Sequence, residues 1–161
     1  MKELIATEIG PIQLNTTIHR ILDGTWSLYE LLDYILEDTG PVHAFISSFS
    51  ISEAAICSFH QMFEDGRLLS LRCLLDNSLR KTKTPLLFFL QNIGAEVKLT
   101  LNHSKIILIH NHNSFVSINA SANMSRNRRI EALVLDTHFN TMVYYLKQMN
   151  KLFDSATPFQ P

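Results

Sequence analysis

The segment NHSKIILIHNHNSFVSINASANMSRNRRIE, residues 102–131, gathers more side chains able to do chemistry than any other stretch of the chain. His103 and Lys105 stand two apart, and in an extended strand such residues point the same way, setting an imidazole and an ammonium on one face. A nucleophilic nitrogen beside a fixed cation is what attack on a phosphodiester requires: one group reaches phosphorus while the other holds the nonbridging oxygens. Ser121 and Asn123 add neutral hydrogen-bond donors, and Glu131 is of the right type to hold the second imidazole nitrogen and so fix the ring's tautomer. Arg126, Arg128 and Arg129 are suited to clamping a phosphate through two N–H groups, or to coating an exposed loop. His110 and His112 invite a metal reading with His103, but no cysteine or carboxylate lies beside them and solvated turn histidines explain them better, so no metal is expected. Arg80, Lys81 and Lys83 form a second basic cluster, read as a solvated loop.

Composition limits what this segment can belong to. The chain has 161 residues, 46% of them hydrophobic, enough for one well-buried core and too few for a second full domain, so one domain spanning 1–161 is expected. Its net charge of −1 gives no global positive field, and any anion site has to be local. Cys57 and Cys73 lie in apolar surroundings without metal or disulfide spacing, and both are expected to be small buried hydrophobes in a reducing compartment. No run resembles a signal h-region or approaches the roughly 18 apolar residues of a membrane span. A soluble, cytoplasmic protein is the expectation.

The elements that must position these residues show themselves by their ends. Ser27 with Glu30 predicts a capping box and a helix over 27–38; Ser50 with Glu53 predicts another over 51–64, closed by Gly66. Thr84-Pro85 opens a helix at 85–93, and apolar spacing from Phe139 to Phe153 predicts the last, over 138–153. Trp26 is expected to anchor a helix, and Asp33, Glu37 and Asp38 to form a solvated face. Strand-like runs fall at 42–47, 68–75, 96–101, 105–109, 115–118 and 130–135. HNHNS at 110–114 predicts a hairpin turn. The near-continuous apolar strings predict a mixed, mostly parallel central sheet with helices on both faces. Residues 1–20 read as a strand pair broken at Gly10-Pro11, and 155–161 as a frayed tail.

With the residues in view, the segment resembles the motif of the phospholipase D-like superfamily: His-x-Lys at 103–105, Ala120-Ser121-Ala122-Asn123 for Gly-Ser-x-Asn, and Asn127 with Glu131 for the trailing Asn and Glu. The chain departs from the pattern at His110, where Asp is usual, at Ala120, where Gly is usual, and in a gap three residues longer between Lys105 and Ala120. The resemblance implies a phospholipase D-like α/β sandwich and one half-site per chain. It further implies a homodimer whose two His103 side chains meet at the interface, a covalent phosphohistidine on one of them, no cofactor and no metal. It also implies a phosphodiesterase of nuclease type acting on nucleic acid. The alternative is a catalytically degenerate relative that binds nucleic acid or a protein, and phospholipid hydrolysis comes third.

Overall fold

The structure is a computed structural model that describes residues 1–126 and 128–160. Its elements in chain order are α1 (Lys2–Ile9), β1 (Thr17–Leu22), α2 (Leu28–Thr39), β2 (Val42–Ser48), α3 (Glu53–Glu64), β3 (Leu68–Asp76), α4 (Leu79–Thr82), α5 (Thr84–Asn92), β4 (Glu96–Thr100), β5 (Ile106–His110), β6 (Phe115–Ala120), β7 (Glu131–Asp136), α6 (Phe139–Ser155) and β8 (Thr157–Pro158).

The predicted helix starts rest on identifiable chemistry. At α2 the Glu30 carboxylate accepts the Ser27 backbone N–H at 2.8 Å and its hydroxyl at 2.7 Å, satisfying donors the first helical turn leaves free. At α3 the cap is Ser52, whose hydroxyl accepts the Ala55 N–H at 3.3 Å, and not Ser50 as the sequence suggested. Ser50 takes the ammonium of Lys83 instead, at 3.0 Å, and Lys83 also donates to the Ile51 carbonyl at 2.8 Å. One member of the second basic cluster is thus a strut for the β2–α3 loop. Trp26 is buried and donates from its indole to Glu8 at 2.9 Å, tying α1 to the start of α2. The acidic face of α2 is more engaged than expected: Asp33 pairs with Arg67 at 2.6 Å and with Lys2 at 3.2 Å, and Lys2 also reaches Glu37.

Among the described residues one sheet runs β1-β7-β6-β5-β2-β3-β4-β8. The expectation of a mostly parallel sheet is corrected. Only β2–β3 and β3–β4 pair in parallel, through helical crossovers; the other neighbours are antiparallel. The physical reason is coverage. Helices α1, α2, α3 and α5 bury one face of the sheet in a large cluster, and α6 buries the other around Phe45, Leu74, Leu108, Met142, Met149 and Phe153. Central antiparallel strands such as Ile106–His110 therefore lose alternation just as parallel ones do, and apolar continuity reports burial on two sides, not strand direction.

Three further expectations fail on local grounds. Residues 1–20 hold a helix: Ile5 and Ile9, one turn apart, are both buried, and Gly10 ends the element at φ 72°. The tail does not fray at 155. β8 pairs with β4 and Phe159 is buried against Phe88, its backbone N–H donating to Val97 at 3.0 Å. Cys73 is buried, and burial pushes its thiol pKa up, but Cys57 is exposed on α3. Among the described residues no helix is long and apolar enough to cross a membrane.

Candidate active site

β2, β3 and β4 end, and β5 begins, on one edge of the sheet, where the chain runs from Thr100 to Lys105. Asn102 fastens that crossing. Its backbone N–H donates to Asp76 at 2.9 Å, and its side-chain amide donates to Ser47 at 2.9 Å and to the Leu74 carbonyl at 2.8 Å. Its Oδ1 accepts both the N–H of Ser104 at 2.9 Å and the Ser104 hydroxyl at 2.7 Å, while the Ser47 and Ser104 hydroxyls lie 2.5 Å apart. Burial opposes the charge on Asp76, but hydrogen bonds from Ser78, Asn102 and Asn77 hold its pKa below the usual carboxylate value. A buried amide with all its bonds made rigidifies its surroundings, and here it fixes the two residues that follow.

Those residues are His103 and Lys105. β5 begins one residue later than expected, so the pair lies in the segment leading into the strand, yet the two side chains still converge. Lys105 Nζ is 3.2 Å from His103 Nδ1 and donates to the His103 carbonyl at 2.6 Å. An ammonium can only donate, so Nδ1 is the accepting nitrogen and the neutral ring carries its hydrogen on Nε2. Burial lowers the pKa of Lys105, with Glu131 acting in the opposite sense. Phe49, just past β2, packs its ring 5.2 Å from the imidazole and 5.8 Å from the ammonium. His103, Ser104, Lys105, Ile106, Asn119, Ala120 and Ser121 line an open depression, and none of these described residues carries a carboxylate.

The other predicted residues divide. Ser121 lines the depression, donates its hydroxyl to Glu131 and accepts the Ala132 N–H at 2.9 Å. Glu131, expected on the imidazole, thus sits on Ser121 and faces a neighbouring cleft with Trp26, Ser125 and Arg129. Asn123 lies outside the lining, and among the described residues its buried Oδ1 has no hydrogen-bond partner. The next residue, Met124, pairs with Ile51, donates its N–H to the Ser48 hydroxyl at 3.2 Å and accepts the Ser52 N–H at 3.0 Å, lacing the loop after β6 to the loop after β2. Arg126 binds Glu30 at the start of α2 and is not presented to the depression. Arg128 is exposed, Arg129 lines the Glu131 cleft, and Asn127 lies outside the described residues. His110 stands at the far end of β5, facing His43, and His112 is exposed in the hairpin turn.

Sequence reasoning missed Asn102, Asp76 and Phe49. The signal for the first two was Ser47 at a strand's end, which marks a polar place; Phe49 carried none beyond an aromatic set between serines.

No family profile matches the chain, and no curated protein sequence does. Solved structures do. Nuc from Salmonella typhimurium, a phospholipase D family member, superposes with a TM-score of 0.67 at 12% identity, over 91% of this chain and 100% of its own. NucT from Helicobacter pylori gives 0.66 at 16% identity, over 89% and 100%. TrmBL2, an archaeal chromatin protein whose structure shows a mode of DNA binding, gives 0.63 at 12% identity, over 98% of this chain and 59% of its own. At these identities the likeness concerns the path of the backbone alone, and by that path the chain has the phospholipase D-like fold.

Proposed function

We propose that this chain is a metal-independent phosphodiesterase of nuclease type, whose working site is formed by two copies of the His103–Lys105 pair. One observation carries the reading: on a phospholipase D-like fold, an imidazole and an ammonium 3.2 Å apart converge at an open depression, beside the Ser121 hydroxyl. A phosphate entering it draws the Lys105 ammonium from Nδ1 to its nonbridging oxygens. One His103 then attacks phosphorus through its unprotonated nitrogen, and the phosphorus–oxygen bond to the leaving group breaks. The partner's copy of this imidazole gives the leaving oxygen its proton and afterwards takes one from the water that releases the phosphohistidine. Ser121 supports the site through Glu131, whose charge favours the ammonium form of Lys105. Asn123 and the arginines at 126, 128 and 129 stand further back, as contacts for a longer substrate.

The surface around the depression supports a site built from two copies. Leu101 is 89% and Ile130 80% exposed, and Phe49 is also exposed, at the edge where His103 stands. Large apolar side chains at a polar rim mark places that another molecule covers, and an isologous contact brings the two copies of residue 103 to one axis. Nucleic acid is the favoured substrate, supported by the likeness in fold to TrmBL2, a chromatin protein with a mode of DNA binding, and by an aromatic ring beside the His103–Lys105 pair, on which a base can stack.

Hydrolysis of a chromogenic diester and of single-stranded DNA, both in EDTA, tests the reading. His103→Ala is expected to lower the rate by about a thousandfold, the scale at which a positioned acid–base group acts. Equal rates for wild type and variant would remove the catalytic role.

A second reading is favoured by the same bonds. Lys105 lies against Nδ1, Glu131 accepts the Ser121 hydroxyl, and His110 replaces the usual Asp. On that reading the depression binds nucleic acid without turnover. Salt-sensitive DNA binding with no hydrolysis by the wild type would favour it.

A further inference from the structure

The opposite edge of the sheet carries a second cluster that the His103 site does not use. His43 on β2 lies directly across from His110 on β5, and the parallel register sets Ser70 of β3 beside His43. Cross-strand partners share a face, so these three side chains form a row beneath α6, and Arg72, two residues after Ser70, joins that face. With Leu146 and Asn150 of α6 they line an open cavity between helix and sheet. Counted along β5 at about 3.4 Å per residue, His110 is roughly 17 Å from Lys105.

The two imidazole rings are 5.6 Å apart, and none of the described residues lining the cavity is acidic. The His43 ring accepts or donates to the Ser70 hydroxyl at 2.8 Å. The Arg72 guanidinium is steadied by Asn150 Oδ1 at 2.8 Å and by the Phe153 ring 5.8 Å away, while its ion pair with Glu96 is long, at 3.9 Å, and open to solvent. Burial, then His43, then Arg72 keep the His110 pKa below the ordinary value. Like groups opposed across two strands contribute little to stability, whereas an anion between them turns every one of these relations favourable. A cation is disfavoured by the guanidinium, and among the described residues no three histidine, cysteine, aspartate or glutamate side chains gather.

We propose that His43, Ser70, Arg72, His110 and Asn150 form a second anion site, which takes a phosphate-class oxyanion, free or as the monoester of a nucleotide. Arg72 supplies the charge-bearing fork, the two imidazoles and the Ser70 hydroxyl supply single donors, and Asn150 aims the guanidinium. Nothing in this site depends on His103 or on turnover.

The test is histidine side-chain NMR of the full chain, titrated with sodium phosphate against sodium chloride at matched ionic strength. Phosphate is expected to shift the His43 and His110 signals saturably at millimolar concentration and to raise the His110 titration midpoint, because the bound anion favours the protonated ring. Arg72→Gln should weaken that response about tenfold or more, the scale of a charge-assisted hydrogen bond, while the His103 signal responds as before. Arg72→Lys, which keeps the charge and loses the fork, should fall between, and guards against a variant that fails to fold. Thymidine 5′-monophosphate in place of phosphate separates the sources: tighter binding assigns a nucleotide, equal binding the phosphate group alone. His43 and His110 signals that stay fixed to about 50 mM phosphate, or that move equally in chloride, overturn the site.

Discussion

At the scale of single residues, the account turns on which partner each polar group finds. His103 Nδ1 faces an ammonium and Glu131 faces a hydroxyl, so the charge state of Lys105 depends on burial and on the nearby carboxylate. Burial lowers the lysine's pKa, and the ammonium form is the one that binds phosphate oxygens. On the proposed function, hydrolysis is therefore expected at neutral pH and is expected to be lost as pH rises through the lowered value, earlier than an ordinary lysine near 10.5 allows. Glu131 raises that pKa, so Glu131→Gln should move the alkaline limb of kcat/KM further down, and a pH–rate profile of both proteins checks it. An unchanged limb would mean that the two groups do not communicate. The sequence expectation rested on His-x-Lys, Ser-x-Asn and a glutamate falling in order, and the structure brings His103 and Lys105 together. The partners were not legible: which oxygen Glu131 meets depends on the register of β6 and β7, and that Arg126 binds Glu30 depends on α2 lying beside a loop almost a hundred residues later in the chain.

At the scale of elements, the four principal helices were legible within two residues because caps, glycines and spacing are local. Strand direction was not, since β5 and β6 are covered on both faces and read like parallel strands, and β8, two exposed residues long, is too short to show a period. α1 was lost to the opposite error, its two buried isoleucines one turn apart being too few to display a helical stripe. The tail supplies a stability test. Phe159 is 4% exposed, packs on Phe88 and accepts the Gln91 amide on its carbonyl at 2.7 Å, so the last residues close the β4 edge of the sheet. Phe159→Ala should cost about 3–5 kcal/mol in urea denaturation, the range for removing a buried phenylalanine. A change under about 1 kcal/mol, within the range of surface substitutions, would return the segment to a frayed tail.

At the scale of the whole molecule, a net charge of −1 gives no global positive field, so the two proposed phosphate sites, one at each end of the central strands, have to act locally. The exposed Leu101 and Ile130, at the same end of the sheet as His103, give the proposed two-chain site its assembly surface. Leu101→Glu sets like charges against each other at a two-fold contact, so light scattering should report a shift from dimer to monomer, with diester hydrolysis lost in parallel. Hydrolysis that persists in a proven monomer would detach the chemistry from assembly. The most direct trial of the central claim is a crystal of the chain soaked in tungstate, a tetrahedral stand-in for phosphate. The expected result is one anion on a two-fold axis, touched by His103 and Lys105 of both copies. Two copies of His103 far apart, each facing packed hydrocarbon or solvent with the anion elsewhere, would contradict it.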